Sequence, residues 1–409
     1  MNKPNIRFNA FSDSWNNPTI EDLFELRNGY TPSKAVDAFW TNGTIPWFRM
    51  EDIRSKGNKL AEAFQKITPE AVKSGGLFKQ NSIILATTAT IGEHAMLIAD
   101  SLANQQFTNF KIRKSLECDY LPDFINYAFY KVDEWCLKNT NSGGLLSVDL
   151  KGLVKQPFYV PSLLEQNKIS SFLRHLESSI ECENQKLTSM HQIKSACLQS
   201  MFPQEGESVP KVRFKGFNEE WERCNLSDIA TFRKGKGYSK SDIESHGTPI
   251  ILYGSLYTNY NLKISEINSF VNEKVGSYKS EGNEIIVPAS GETAEDIARA
   301  SVVAQKGVIL GGDLNIISID KNSFSPEFVA LSITYGQPHK YLTKVAQGKS
   351  VVHLHNSDIS KICLLCPSLE EQQKIASYFE NLDKQISLQT QRLEKLKQIK
   401  SACLDNMFV

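Results

Sequence analysis

A chain of 409 residues with 41% hydrophobic and 22% charged side chains has the make-up of a folded globular protein, long enough for two or three domains. Lys plus Arg and Asp plus Glu each total 46, so the formal net charge is zero; this excludes nucleic-acid binding through a global basic excess and leaves only local patches for it. No apolar run reaches the roughly 18 residues of a membrane span, no secretory core follows Met1, and the eight cysteines are scattered, so the expected location is the cytoplasm.

The chain begins with Arg7, Phe8, Phe11 and Trp15, a set that returns 206 positions later as Arg213, Phe214, Phe217 and Trp221. Searching for such repeats first is worthwhile because a duplication changes the reading of the whole fold. Residues 16 to 155 then read as mixed α/β, with short β-rich runs such as Asn81 to Ala86 broken by Gly, Asn, Ser and Pro. After the first predicted strand comes a basic, glycine-containing, aromatic loop with Arg27, Gly29, Tyr30 and Lys34. Glycine lets backbone amides approach a phosphate, Arg and Lys neutralise it, and tyrosine bonds or stacks on the sugar-phosphate chain, so the loop suits nucleic acid. A solvated turn has the same composition, and both readings stand. Arg49, in Trp47 to Met50, and Thr88 and Thr90, in the polar run after Ala86, are weaker candidates for DNA contact, with ordinary loop or core roles as the alternative.

Ser162-x-x-Glu165 has the spacing of a capping box and opens a long predicted helix. Steps of four and three residues pick out Ile169, Leu173, Leu176, Ile180, Leu187, Met190, Cys197 and Met201, interrupted by Glu183 and Lys194. At 1.5 Å per residue a helix from Leu163 to Met201 is about 58 Å long, too long and too one-sided for a single globular domain. It needs a partner helix; the alternative is packing on its own domain alone. Phe202-Pro203 ends it, because proline cannot continue the hydrogen-bond ladder.

The second copy follows with the same frame. Residues 222 to 360 are again mixed α/β, with a run Glu284 to Pro288 and, after the first strand, a loop carrying Arg233, Lys234, Gly235, Lys236, Tyr238 and Lys240. Tyr253 and Ser290 stand at places comparable to Arg49 and Thr88, with the same two readings. Ser368-x-x-Glu371 opens a second helix whose seam is Ile375, Phe379, Leu382, Ile386, Leu393, Leu396, Cys403 and Met407, interrupted at Gln389 and Lys400. Gln192 to Leu198 recurs without change as Gln398 to Leu404, while the interiors of the two copies differ almost completely. Matched frames around divergent interiors suit a fixed scaffold whose two surfaces recognise different things, and a pseudo-twofold repeat would pair the helices antiparallel.

Catalytic motifs are absent. There is no Gly-x-x-x-x-Gly-Lys-Ser/Thr phosphate loop, no Gly-x-Gly-x-x-Gly dinucleotide turn, no Asn/Asp-Pro-Pro-aromatic motif of amino-methylating enzymes and no nucleophile elbow. Cys363 and Cys366 have metal or redox spacing but no second ligand pair, and read as small hydrophobes of an apolar strand. His353 and His355 lack a third ligand and read as surface or DNA-facing residues.

The layout resembles, over its whole length, the specificity subunit of type I restriction-modification enzymes. The residues that carry this are Pro161-Ser-Leu with Glu165-Gln166 and Lys168-Ile169, their counterparts from Pro367, the Gln-Ile-Lys-Ser-Ala-Cys-Leu segments, and the Arg-Phe-x-x-Phe-x-x-x-Trp start of each half. The resemblance implies an α+β chain with target-recognition domains at 1–155 and 204–360 and helical spacers at 156–203 and 361–409 that pair as an antiparallel coiled coil. It also implies that the chain itself is no enzyme: it would bind double-stranded DNA and two methyltransferase subunits that methylate adenine N6, and in some members two restriction subunits. S-adenosylmethionine, ATP and Mg would belong to those partners, with no cofactor or metal in this chain. Each domain would read half of a split target while the helices act as a ruler, so that four extra residues, about 6 Å of helix, correspond to roughly two base pairs. The rival readings are a scaffold that binds only proteins, separable by duplex-binding measurements, and an enzyme with a cryptic site, separable by turnover of the purified chain.

Overall fold

The computed structural model describes residues 3–409 apart from 142, 143, 145, 259, 347, 349 and 350, together with the backbone alone of Thr258. The chain divides into two compact units that do not follow simple chain order: unit 1 is Met1–Glu183 with Arg392–Val409, and unit 2 is Asn184–Gln391. The reason lies in the two long helices, Leu163–Ser200 and Leu369–Asn406, each of which gives one part of its length to each unit.

In unit 1 the strands Phe24–Asn28, Phe107–Ile112, Ile83–Ala86, His94–Leu97 and Lys59–Leu60 lie side by side in that order, antiparallel except for the last, parallel pair. A second sheet places Ile45–Phe48 between Gln65–Ile67 and Leu102–Ala103. Unit 2 builds its five-stranded sheet in the same order from Ala230–Lys234, Leu314–Ile319, Ile285–Pro288, Ser301–Val303 and Lys263–Ile264. The run Asn81 to Ala86 and its counterpart Glu284 to Pro288 become the wholly buried middle strands, which accounts for their continuous apolar character.

The core of unit 1 gathers Trp15, Phe24, Phe110 and Phe129 with Ile169 and Leu173 of the first long helix and Leu404, Met407 and Phe408 of the second. Unit 2 mirrors this: Trp221, Ile317 and Phe328 pack with Ile375 and Phe379 of the second helix and Leu198, Met201 and Phe202 of the first. Helix pairing and packing on the globular part therefore occur together. The Met-Phe that ends each copy docks on the tryptophan that starts a copy: Phe408 meets Trp15 edge-on at 6.5 Å, and Phe202 meets Trp221 in the same way at 6.5 Å.

Within each unit the helices run antiparallel. In unit 1, Glu177 pairs with Lys400 at 2.8 Å and Glu183 with Arg392 at 3.2 Å; in unit 2, Lys194 pairs with Asp383, and the Cys197 thiol meets the Tyr378 hydroxyl at 3.4 Å. Among the predicted seam residues, Ile169, Leu173, Ile375, Phe379 and Leu393 are buried, and Leu176, Ile180, Leu187, Leu382 and Ile386 are half-buried. Three of the four polar interruptions, Glu183, Lys194 and Lys400, form the ion pairs just named. Such pairs set the register of a seam that is otherwise apolar.

The helices start at Leu163 and Leu369, where the Ser162 and Ser368 spacing predicts. The residues just ahead of them belong to the globular parts: Phe158 and Val160 are buried, Phe158 N–H donates to the Pro18 carbonyl at 2.7 Å, and Cys363–Cys366 pairs with Glu222–Asn225. The capping-box glutamates are used otherwise than expected. Glu165, 1% exposed, accepts two parallel bonds from Arg7, both at 2.7 Å, and Glu371 does the same for Arg213, both at 2.7 Å. The bidentate fork holds the carboxylate more strongly than a reach-back to a backbone amide, and it raises the Arg7 and Arg213 pKa values through those side-chain bonds. The same arginines are followed by Phe8 and Phe214, each an edge-on partner, at 5.9 Å, of Phe172 and Tyr378 respectively.

Candidate nucleic-acid interface

The loop after the first strand is built around a glycine in both units. A Cβ on Gly29 would lie 2.1 Å from the Asn104 carbonyl oxygen, and one on Gly235 would lie 1.8 Å from that of Gly311. Both are backbone atoms that cannot turn aside, and each glycine N–H is tied down, to the Phe107 carbonyl at 2.8 Å and the Leu314 carbonyl at 2.9 Å. Gly29→Ala and Gly235→Ala are therefore each expected to cost about 1–3 kcal/mol through overpacking. Chemical denaturation measures the loss, and a change of under about 0.5 kcal/mol would show that the loop yields easily.

The aromatic and arginine residues of the loop form a repeated internal clamp. The Tyr30 hydroxyl accepts from the Lys73 N–H at 2.8 Å and donates to the Ala71 carbonyl at 3.2 Å, while the Lys73 ammonium sits 4.4 Å from the centre of the ring. The Tyr238 hydroxyl likewise accepts from the Lys274 N–H at 2.6 Å, with the Lys274 ammonium 4.7 Å above the ring. Arg27 lies over Phe78 at 4.6 Å and donates to the Gly75 carbonyl, and Arg233 lies over Tyr278 at 5.4 Å. Burial lowers the Arg27 pKa below the usual arginine range. Tyr30, Tyr238 and Arg27, each half-buried, thus hold the loop. Lys34, Lys234, Lys236 and Lys240 are exposed, and no ion pair engages them among the described contacts.

The other candidates divide. Arg49 forms an ion pair with Glu51 at 2.8 Å, and its backbone N–H donates to the buried Asp52 at 2.8 Å, so it opens a helix. Thr88 donates weakly to the Gln105 carbonyl at 3.4 Å, and Thr90 is half-buried. Ser290 is buried in a short strand opposite His353, and its carbonyl accepts from Tyr257, so its side chain is not at the surface; this corrects the expectation for it. Tyr238, Lys240 and Tyr253 line one cavity of about 560 Å³ in unit 2. His353 and His355 are exposed, and Cys363–Cys366 is the apolar strand expected, with Cys366 buried. Among the described residues no group of three or more His, Cys, Asp and Glu is placed to hold a metal ion, and no helix is long and apolar enough to cross a membrane.

One pair had no signal in sequence. The buried His94 ring in unit 1 joins Asp133 at 2.5 Å and the Asn126 carbonyl at 2.8 Å, and burial pushes the Asp133 carboxyl up. Both ring nitrogens are used internally, so the pair ties the sheet to the helix Pro122–Lys138.

The family model described as the type I restriction modification DNA specificity domain matches twice, over residues 12–192 and 218–398. The chain belongs to that family. The two matches begin 206 positions apart, the step of the internal repeat. The chain is 30% identical over 390 residues to the type I restriction enzyme EcoprrI specificity subunit of Escherichia coli, covering 95% of this chain and 91% of that protein. It is 25% identical to the type I restriction enzyme MjaIX specificity subunit of Methanocaldococcus jannaschii, covering 96% and 92%. The fold is similar to that of a type I restriction-modification S subunit from M. genitalium, with a TM-score of 0.59 at 14% identity over 100% of this chain and 99% of that one. The HsdS subunit of Thermoanaerobacter tengcongensis is also similar, with a TM-score of 0.53 at 13% identity over 97% of each.

Proposed function

We propose that this specificity-family chain is the non-catalytic DNA reader of a type I restriction-modification complex, in which unit 1 and unit 2 each recognise one half of a bipartite target. The observation that carries the reading is the repeat itself: two loops held by the same glycine crossing and the same lysine-over-tyrosine clamp display different exposed residues, Lys34 in one and Lys234, Lys236 and Lys240 in the other. A shared scaffold with divergent tips is what two half-sites of different sequence require. The lysines supply phosphate contacts that position the chain, and neighbouring side chains read base edges. Two methyltransferase subunits, bearing S-adenosylmethionine, would dock on the helical frame and methylate adenine N6. Restriction subunits, where present, would bring ATP and Mg, and the complex would work in the cytoplasm.

Mapping methylated adenines in cells with and without this chain, in the presence of its methyltransferase, tests the reading. A split motif that depends on the chain is expected; a methylation pattern indifferent to it would sink the proposal. Changing Lys234, Lys236 and Lys240 together to alanine is expected to weaken duplex binding across all sequences and to flatten the salt dependence by up to about 0.9 in log–log slope per lost phosphate contact. An unchanged slope would remove these lysines from the interface.

A further inference from the structure

We propose that the cavity of unit 2 bordered by Tyr238, Lys240 and Tyr253 receives a purine base drawn out of the stack of the target duplex. The proposal rests on the DNA-reading function above and names a specific contact within it.

The cavity exists because two large rings of unit 1 are replaced. In unit 1 the short helix Asp37–Phe39 is followed by Trp40, and the third residue of strand Ile45–Phe48 is Trp47. Their rings meet edge to face with centroids 5.0 Å apart, and their indole N–H groups donate at 3.0 Å to the carbonyls of Ser33 and Tyr30. In unit 2 the matching short helix Lys240–Asp242 is followed by Ile243, and the third residue of the matching strand Thr248–Ile251 is Ile250. The parallel pairing of Trp47 with Leu102 and of Ile250 with Ile309 fixes the correspondence. Three residues beyond those partners, Gln105 of unit 1, whose side chain meets the Thr31 hydroxyl at 2.5 Å, gives way to Gly312. Ile243, Ile250 and Gly312 all line the resulting space of about 560 Å³.

Such a volume lies within the range of about 300–1,000 Å³ typical of ligand sites. Its lining combines apolar Ile243 and Ile250 with aromatic Tyr253 and the charged residues Lys240 and Asp313. Asp313 holds a left-handed backbone conformation, φ 58°, and Lys240 and Asp313 are both exposed. An indole and a purine are both fused five- and six-membered rings, so a place that fits an indole in one copy suits a purine in the other. Lysine offers donors and aspartate offers acceptors, the complement of a purine's ring nitrogens and exocyclic amine, while tyrosine and isoleucine cover its faces. An aromatic side chain of a protein partner would match the apolar residues but leave both charged groups without a counterpart. The cavity also borders the loop whose exposed lysines face the proposed duplex.

The test begins with the motif found by methylated-adenine mapping. Duplexes of that motif carrying 2-aminopurine at each purine position in turn are then bound to the complete complex. A fluorescence rise is expected at one position in addition to the methylated adenines. In the double variant I243W/I250W, which restores the unit 1 ring pair, that extra rise is expected to vanish and affinity to fall at least tenfold, with the signal at the methylated adenines retained. A variant that melts at or above the wild-type temperature but keeps the extra signal and the affinity overturns the proposal. So does loss of methyltransferase capture with unaltered fluorescence, which would give the cavity to a protein side chain. If the double variant does not fold, K240A and D313A carry the same measurement, and an extra signal unchanged in both is equally fatal. A motif without any extra unstacked purine defeats the cavity proposal alone, whereas the absence of any motif dependent on this chain defeats the DNA reading itself.

Discussion

Arg7→Ala is expected to destabilise unit 1 by about 3–5 kcal/mol, because it leaves a nearly buried carboxylate without its counter-charge. Glu165 is 1% exposed and takes both of its strong bonds from Arg7, whose side chain is itself only 13% exposed, so solvent cannot replace the lost partner. Arg7→Lys should fall between wild type and alanine, since an ammonium cannot supply two parallel bonds in one plane. The double change Arg7→Ala with Glu165→Ala should be less damaging than the sum of the single changes, because the stranded charge is then gone. Trp15 lies in the same core and reports the transition by fluorescence during urea unfolding. The equivalent pair Arg213 and Glu371 predicts the same for unit 2. A loss below about 1 kcal/mol for Arg7→Ala would mean that the pair behaves like a surface salt bridge.

Lengthening both long helices by seven residues, after Glu183 and after Gln391, is expected to widen the unread spacer of the target by about three base pairs while both half-sites stay the same. Seven residues add about 10 Å of helix, and B-DNA rises about 3.4 Å per base pair. The seam explains why seven residues are needed, and in both helices. Four residues are not a whole heptad, so the seam positions before and after the insertion would no longer share one face of the helix. Lengthening one helix alone would displace one side of the ion pairs Glu183–Arg392 and Lys194–Asp383. Mapping of methylated adenines reads the outcome directly. A well-folded double insertion with an unchanged spacer would show that the helices do not measure the distance between half-sites.

The frame of the molecule was legible because its signals are local or repeated. Heptad spacing acts over three and four residues, so the seam from Ile169 to Leu393 could be marked without knowing what it faced, and even its interruptions repeated in step. The start and end motifs were visible as identities, yet their purpose was not: no local rule says that Arg7 reaches across 158 positions to Glu165, or that Phe408 closes on Trp15. Capping-box spacing pointed to a nearer partner for Glu165, and the stronger bidentate arginine took it instead.

The loops after the first strand of each unit show the same division more sharply. Composition made Arg27, Tyr30, Arg233 and Tyr238 candidates for DNA contact beside the reading of a plain turn, because a basic residue beside an aromatic ring reads alike whether it meets phosphate or its own fold. Their partners, Phe78, Lys73, Tyr278 and Lys274, lie 36 to 51 positions away along the chain and do not keep the 206-residue step, so the repeated clamp was invisible in the sequence. The duplication, the two helices with their seam, and the family were all readable along the chain, because they rest on short-range periodicity or direct identity. How each unit borrows the end of the other copy's helix, which residues clamp each loop, and where Ile243 and Ile250 leave room that Trp40 and Trp47 fill emerge only in the folded molecule, because they depend on contacts between residues that no spacing rule connects.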